Sequence, residues 1–144
     1  MPDWVTTGFN EYAKRLQGGA RLELHEIPAS VRKGRYEPAR ARIEEGRRLL
    51  AATPGRAWKI ALDVSGRPLG TEALAQRIRD WNRTGDEVAL LVGGPDGLDP
   101  GVLAAADECW SLSALTLPHP LVRVIVAEQV YRALSILYNH PYHR

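Results

Sequence analysis

The sequence is poor in the residues that build disulfides, cysteine-based metal sites and membrane spans. It has a single cysteine, Cys109, among 144 residues, so it can form neither an internal disulfide nor a four-cysteine zinc site. No apolar run reaches the roughly 20 residues that span a bilayer, and the start lacks the pattern of a secretory leader. We therefore expect a reducing, cytoplasmic setting with no membrane partner.

Two nucleotide-binding motifs are also missing. Neither G-x-x-x-x-G-K-[ST] nor G-x-G-x-x-G occurs, which disfavours nucleoside triphosphates and nicotinamide cofactors. His119, His140 and His143 cluster near the C-terminus but lack the H-x-x-x-H or H-E-x-x-H spacing of a metal site, so we expect no metal. The composition is that of an ordinary globular protein, with 44% hydrophobic and 25% charged residues. It predicts one domain over residues 1–144.

Charge is divided unevenly along the chain. Residues 1–58 carry 11 basic and 7 acidic side chains, whereas residues 59–144 carry 8 basic and 10 acidic ones. The basic half, which includes a polar loop at 28–35, could meet phosphate groups. The asymmetry alone is too small to identify a nucleic-acid-binding protein.

Helix-like and strand-like patterns alternate along the chain. Apolar periodicity and prolines in first turns predict helices over 2–17, 37–52, 71–83, 100–107 and 121–138. Alternating or continuous apolar runs predict strands over 21–27, 57–63, 87–93 and 109–112. The pattern predicts an α/β fold with a mainly parallel sheet and helices on both faces.

Three special loops follow predicted strands, where open α/β sheets bind ligands. They are VSGRPLG after Leu62 and Asp63, GGPDG at 93–97, and the apolar, proline-containing run 112–120. The GGPDG glycines either allow close approach to a ligand or simply form a turn, and Asp63 either binds a ribose hydroxyl or caps a turn. We expect another loop, a second subunit or a ligand to cover residues 112–120. An adenosyl group, read mainly by backbone atoms, suits these loops.

The last predicted helix and the tail NHPYHR carry further candidate groups. Arg123 falls on the apolar side of the helix, where it either extends its charge off the helix end or binds an anion. The tail, with Tyr142 and His143, suits stacking on and hydrogen bonding to an unpaired base. The opposite side of the helix is a polar stripe of Glu128, Gln129, Arg132, Ser135 and Asn139.

Several long motifs resemble one family. LLVGGPDGL, WSLSALTLPHPLVRVIVAEQVYRA and NHPYHR, with PDWVTTGFNEYAKR and LHEIPASVR near the start, are similar to bacterial ribosomal RNA large-subunit pseudouridine N3-methyltransferases of the SPOUT superfamily. The resemblance covers essentially the whole chain. It implies a homodimeric α/β fold with a C-terminal trefoil knot, a rare exception to unknotted topology. Family members usually have an apolar strand before the M-P-D-W that opens this sequence, so we expect either a start assigned at an internal methionine or a shortened chain.

The resemblance further implies methyl transfer from S-adenosylmethionine to N3 of a pseudouridine in 23S ribosomal RNA, within the assembled ribosome. For the base-side chemistry, His119 or His143 would accept the N3 proton and Arg123 would stabilise developing charge, with Tyr142 beside them. Two alternatives stay open: an inactive, ribosome-associated RNA-binding dimer, and a SPOUT methyltransferase acting on another RNA such as transfer RNA. The cofactor contacts implied by the family are Leu62, Gly93, Gly94, Leu112, Ser113, Ala114, Leu115, Thr116 and Leu117.

Overall fold

The computed structural model describes residues 2–28 and 37–143. The predicted basic loop at 28–35 therefore lies, except for Pro28, outside the described residues. The helices and strands, in chain order, are α1 (Asp3–Ala13), α2 (Pro38–Ala52), β1 (Trp58–Pro68), α3 (Thr71–Thr84), β2 (Val88–Val92), α4 (Pro100–Ala105), β3 (Glu108–Ser111) and α5 (His119–Leu137), followed by a 3-10 turn at Pro141–His143.

The chain divides into two compact units. The helical unit comprises Met1–Leu24, Leu69–Gly85 and Leu117–Arg144, and so contains α1, α3, α5 and the final 3-10 turn. The sheet unit comprises His25–Pro68 and Asp86–Thr116, and contains β1, β2, β3, α2 and α4.

Three parallel strands in the order β2-β1-β3 form the sheet unit. Strand β1 is central: it pairs with β2 from Trp58↔Val88 onward and with β3 from Ile60↔Glu108 onward. Because the strands are parallel, their carboxyl ends lie at one edge of the sheet. The predicted α/β fold with a parallel sheet is confirmed.

A hydrophobic core joins one face of this sheet to α2 and α4. Ala61 and Leu91 are paired neighbours in β1 and β2, and both are buried together with Val102 of α4. Helix α2 packs against this cluster through Leu49 and Leu50.

Helices α1 and α3 both pack against α5 in the helical unit. Gly8 of α1 lies so close to Val124 that an added Cβ would be 3.2 Å from its Cγ1 atom. Ala133 and Leu134 of α5 are fully buried and pack with Ile78 of α3. Among the described residues, no helix is both long and apolar enough to cross a membrane.

The strand predicted over 21–27 is wrong. Residues 20–28 form neither helix nor strand, although Leu22, Leu24 and Ile27 are half-buried between exposed neighbours. Alternation predicts which side chains turn inward, but a strand also needs a partner for its backbone groups. Within the described residues, the sheet contains only β1, β2 and β3.

The turn predicted directly after Asp63 is also wrong, because β1 continues to Pro68. Leu62 and Arg67 both pair with Trp110, so residues 63–66 bulge out of the ladder. Gly66 allows this bulge, since a Cβ there would lie 2.7 Å from the carbonyl carbon of Trp110. Glycine and proline indicate an irregularity, but they do not distinguish a turn from a bulge that rejoins the strand.

Three helix boundaries differ from the predictions by two residues or more, one of them at α4, which ends at Ala105 rather than at residue 107. Helix α1 ends at Ala13 rather than at residue 17, and its chain continues in turns through Arg15 and Leu16, whose N–H groups bond to carbonyls three residues earlier. Helix α5 begins at His119 rather than at residue 121. The first turn accepts Pro120 because N–H groups there have no partner within the helix.

Candidate functional site

The three loops singled out in the sequence lie together at one edge of the sheet unit. This carboxyl edge comprises residues 62–66 of β1, the loop 93–97 after β2, and residues 112–116 after β3. Leu117, by contrast, belongs to the helical unit. The predicted cofactor residues at the carboxyl edge are Leu62, Gly93, Gly94, Leu112, Ser113, Ala114, Leu115 and Thr116.

The loop 93–97 is a tight turn whose glycines are required by its own backbone. The Gly97 N–H donates to the Gly94 carbonyl at 3.0 Å, and Gly97 has a φ of +80°. A Cβ on Gly93 would lie 2.6 Å from the carbonyl carbon of Gly97. A Cβ on Gly94 would meet only the carboxyl group of Glu45, with the nearest oxygen at 3.1 Å. The turn therefore explains Gly93 and Gly97, whereas Gly94 is less constrained by the fold.

Asp63 caps the bulge of β1. Its Oδ2 atom accepts a hydrogen bond from the Ser65 N–H at 3.0 Å and another from the Ser65 hydroxyl. Of the two roles open to Asp63 in the sequence, the structure shows the capping role, at a bulge rather than at a turn. The bulge presents Val64 to solvent, with 58% of its surface exposed.

The loop after β3 is ordered by its own hydrogen bonds but leaves apolar surface uncovered. Ser111 donates from its hydroxyl to the Ser113 carbonyl at 2.9 Å, and the Ser113 hydroxyl accepts from the Leu115 N–H at 3.0 Å. Leu115 is 72% exposed. The expected cover over this loop is thus not supplied by the described part of the chain.

His119 and Arg123 occupy the first turns of α5. They are four residues apart on a helix, so their side chains share one face, and both are half-buried. Further along the side predicted to be apolar, Val126, Ala127 and Leu134 are buried.

The C-terminal tail folds back onto the polar stripe of α5. Asn139 takes a φ of +54° just after the helix, a left-handed conformation that Asn tolerates at helix ends. The His140 N–H then donates to the Ser135 carbonyl at 2.8 Å. The resulting tail cluster consists of Glu128, Tyr131, Arg132, Ser135, His140, Tyr142 and His143.

Tyr142 is held in the tail cluster by three contacts with α5. Its ring stacks on Tyr131, with centroids 4.3 Å apart, and the Arg132 guanidinium lies 4.9 Å from its centroid. Its hydroxyl donates to Glu128 at 3.0 Å. Burial, and secondarily the hydrogen bond to Glu128, raises the pKa of Tyr142 to about 12. Tyr142 is therefore a neutral hydrogen-bond donor near neutral pH, which suits positioning rather than proton acceptance.

Glu128 links the tail to the helix that carries it. Its Oε1 atom also accepts from Arg132 Nε at 2.8 Å, and this salt bridge lies on adjacent turns of α5. Gln129 beside it accepts a hydrogen bond from the Thr71 hydroxyl at 2.7 Å.

The sequence shows a polar stripe on α5, but the pattern by itself assigns no function to Glu128 or Ser135. Ser135 is only 1% exposed, and its hydroxyl lies 3.4 Å from Nδ1 of His143. The signal in the sequence was a set of polar residues at helical spacing in an otherwise apolar helix. Within residues 2–28 and 37–143, no group of three or more His, Cys, Asp or Glu side chains is placed to hold a metal ion.

Comparison with known proteins relates the whole chain to one group. A family model described as "Predicted SPOUT methyltransferase" matches residues 1–143. The chain is 56% identical over 143 residues to "Ribosomal RNA large subunit methyltransferase H" of Xanthomonas oryzae pv. oryzae, covering 99% of this chain and 92% of the relative. Proteins of the same name are 54% identical in Stenotrophomonas maltophilia, with the same coverage, and 52% identical in Hydrogenovibrio crunogenus, covering 100% of this chain and 92% of the relative.

Proposed function

Because the chain belongs to the SPOUT methyltransferase family, we propose that it methylates N3 of a pseudouridine in 23S ribosomal RNA with S-adenosylmethionine as donor. The observation that carries the proposal is the identity of 52 to 56% to proteins named as large-subunit ribosomal RNA methyltransferases. We further propose that the substrate is the assembled ribosome, that the enzyme works as a cytoplasmic homodimer, and that its C-terminal part forms the family's trefoil knot.

The chemistry of the carboxyl edge supports the proposal that it binds an adenosyl group. This edge offers backbone groups in short loops, a glycine at position 94 that the turn itself does not require, and exposed apolar side chains at Val64 and Leu115. Ligand sites of this kind combine apolar contacts with a few fixed polar groups. S-Adenosylmethionine would supply an electrophilic methyl group there. The proposed holding residues are Leu62, Gly93, Gly94, Leu112, Ser113, Ala114, Leu115, Thr116 and Leu117.

The residues proposed to act on the substrate base are His119, Arg123, Tyr142 and His143. N3 of pseudouridine carries a proton, which must leave before the nitrogen lone pair can attack a methyl carbon. His143 or His119 accepts that proton. Arg123 stabilises negative charge on a neighbouring carbonyl of the base, and Tyr142, held by Glu128 and Tyr131, fixes the tail.

The exposed loop after β3 supports the proposed dimer as well as cofactor binding. Leu115 and Val64 are large apolar side chains left open to water, and such surface is typical of sites that bind a ligand or another chain. Sedimentation equilibrium with and without S-adenosylmethionine tests the dimer separately from cofactor binding. A monomer at micromolar concentration would contradict the proposed dimer.

The function is tested by incubating the protein and radiolabelled S-adenosylmethionine with three substrates: ribosomes from a strain lacking the corresponding methyltransferase, free 23S RNA, and transfer RNA. We expect one methyl group per ribosome, mapped by mass spectrometry to a pseudouridine. Deletion of residues 142–144 is the matched variant, expected to retain cofactor affinity by calorimetry but to lose most transfer.

Each contrary result identifies a different error. Ribosome binding without cofactor affinity would indicate an inactive RNA-binding protein. Methylation of transfer RNA alone would move the activity to another substrate. Full activity after the deletion would remove Tyr142 and His143 from the site.

A further inference from the structure

Ser135 is a buried polar side chain that lies beneath the C-terminal tail. It lies on α5, is 1% exposed, and has two polar neighbours. Its hydroxyl donates to the Arg132 carbonyl at 2.6 Å, and the same oxygen lies 3.4 Å from Nδ1 of His143.

The single proton of this hydroxyl can serve only one of the two neighbours. A serine hydroxyl has one donor and two acceptor positions, and the contact with the Arg132 carbonyl is shorter by a wide margin. The hydroxyl therefore donates its proton to the hydrogen bond with the Arg132 carbonyl and acts as an acceptor toward His143. An acceptor hydroxyl at 3.4 Å favours the tautomer in which Nδ1 of His143 carries the ring proton, so that Nε2 of the neutral ring carries the free lone pair.

The neighbouring histidine of the tail is held in the opposite form. The backbone N–H of Tyr142 donates to Nδ1 of His140 at 3.3 Å. A nitrogen that accepts this bond has no proton, and the neutral His140 ring accordingly carries its proton on Nε2. Within the tail cluster, the contacts leave an Nε2 lone pair on His143 and not on His140.

The tail that presents His143 is fixed by contacts independent of the imidazole. Ser135 accepts the His140 N–H on its carbonyl, and the residue before His143 is stacked and hydrogen-bonded through Tyr131 and Glu128. These contacts hold the tail in place, so Nδ1 of His143 stays next to the Ser135 hydroxyl.

We propose that Ser135 is a positioning residue that fixes the Nδ1-protonated tautomer of His143, so that Nε2 accepts the substrate proton. The proposal rests on the proposed function for its substrate. In the step, the N3–H bond breaks and its proton goes to Nε2 of His143. The N3 electron pair forms the bond to the methyl carbon, and the electrons of the broken carbon–sulfur bond stay on the sulfur of the sulfonium donor.

The tautomer can be measured without any turnover. In the full chain labelled with nitrogen-15 in histidine, long-range proton–nitrogen NMR at about pH 8.5, where an ordinary histidine is neutral, distinguishes the two forms. His143→Gln identifies the signal. We expect the Nδ1–H form in the native protein and a mixture with Nε2–H in Ser135→Ala. An Nε2–H form in the native protein, or an unchanged ring in Ser135→Ala, overturns the proposal.

Kinetics give the second readout. Losing one neutral hydrogen bond to the ring should lower kcat about 3- to 10-fold while leaving KM for the ribosome unchanged. Ser135→Thr keeps the hydroxyl and is expected to retain both the tautomer and kcat. The matched control is Thr53→Val, which removes a hydroxyl that donates to the Leu49 carbonyl at 2.8 Å in the sheet unit.

The two proposals fail in different ways. An unchanged kcat in Ser135→Ala despite an altered tautomer overturns the role of Ser135, as does an equal loss in Thr53→Val. If the native protein transfers no methyl group to any RNA, the proposed function fails, while the NMR measurement still decides whether Ser135 fixes the ring.

Discussion

Replacing Gly93 by alanine should disrupt the carboxyl edge through a single added methyl group. The new Cβ would lie 2.6 Å from the Gly97 carbonyl carbon and 2.9 Å from the Leu98 nitrogen. Carbon atoms in contact lie about 3.5 to 4.0 Å apart, so the 93–97 turn would have to move by about 1 Å. The obstructing atoms belong to the backbone and cannot rotate away as a side chain could.

The expected loss of stability follows from this overlap. Forcing an extra carbon into a packed region costs about 1 to 3 kcal/mol, and each kcal/mol lowers the melting temperature of a domain of this size by about 2 to 4 °C. Gly93→Ala should therefore melt about 2 to 12 °C below the native protein. Because the same turn carries Gly94, a proposed cofactor contact, we also expect affinity for S-adenosylmethionine to fall at least tenfold, equivalent to about 1.4 kcal/mol.

Differential scanning calorimetry and titration calorimetry measure these two effects. Gly55→Ala is the matched control, because Gly55 has no atom within 4 Å of an added Cβ and no positive φ; it should melt and bind like the native protein. Native-like melting of Gly93→Ala would refute the packing argument. Reduced melting with unchanged cofactor affinity would instead remove the 93–97 turn from the binding site.

Two further predictions follow from pKa values. Tyr142 should ionise near pH 12. The difference in tyrosinate absorbance between the native protein and Tyr142→Phe measures this ionisation. Glu128→Gln should lower the pKa of Tyr142 toward the ordinary tyrosine value of 10.0. As the pH rises, Tyr142 ionises in the unfolded chain before it ionises in the folded protein. The stability that Tyr142 contributes should therefore be complete below about pH 10 and lost as the pH rises toward 12. Ionisation of Tyr142 near pH 10 in the native protein would contradict both the raised pKa and this loss of stability. Burial, followed by the charge of Asp63, raises the pKa of the Cys109 thiol, so it should react with a disulfide reagent at pH 8 more slowly than free cysteine. Asp63→Asn should speed the reaction, whereas a native rate equal to that of free cysteine would show that the thiol is not shielded.

Much of the candidate site could be located from the sequence because it depends on local signals. The GGPDG loop and the apolar run after Ser111 interrupt regular patterns, and loops after parallel strands fall at the same edge of a sheet. The roles of individual residues were less accessible. Asp63 was equally suited to a ribose or a turn, and only the position of Ser65 shows that it caps the bulge.

The roles of the tail residues were even less accessible from the sequence. The motif NHPYHR marked Tyr142 and His143 as chemically interesting, but it did not reveal which groups hold them. Glu128 and Ser135 precede Tyr142 and His143 by 14 and 8 residues, and they become neighbours of the tail only because the chain reverses at Asn139.

The sequence by itself determined the alternation of helices and strands from α2 onward, the apolar character of β2, and the motifs shared with the methyltransferase family. These properties reside in neighbouring residues, whose spacing sets which side chains share a face. Only the tertiary structure decided that residues 21–27 form no strand and that β1 continues past Asp63 to pair again with β3. Only the tertiary structure shows that Ser135 lies next to His143. Each of these depends on a hydrogen-bond partner distant in the chain, and hydrophobic patterning specifies burial without specifying that partner.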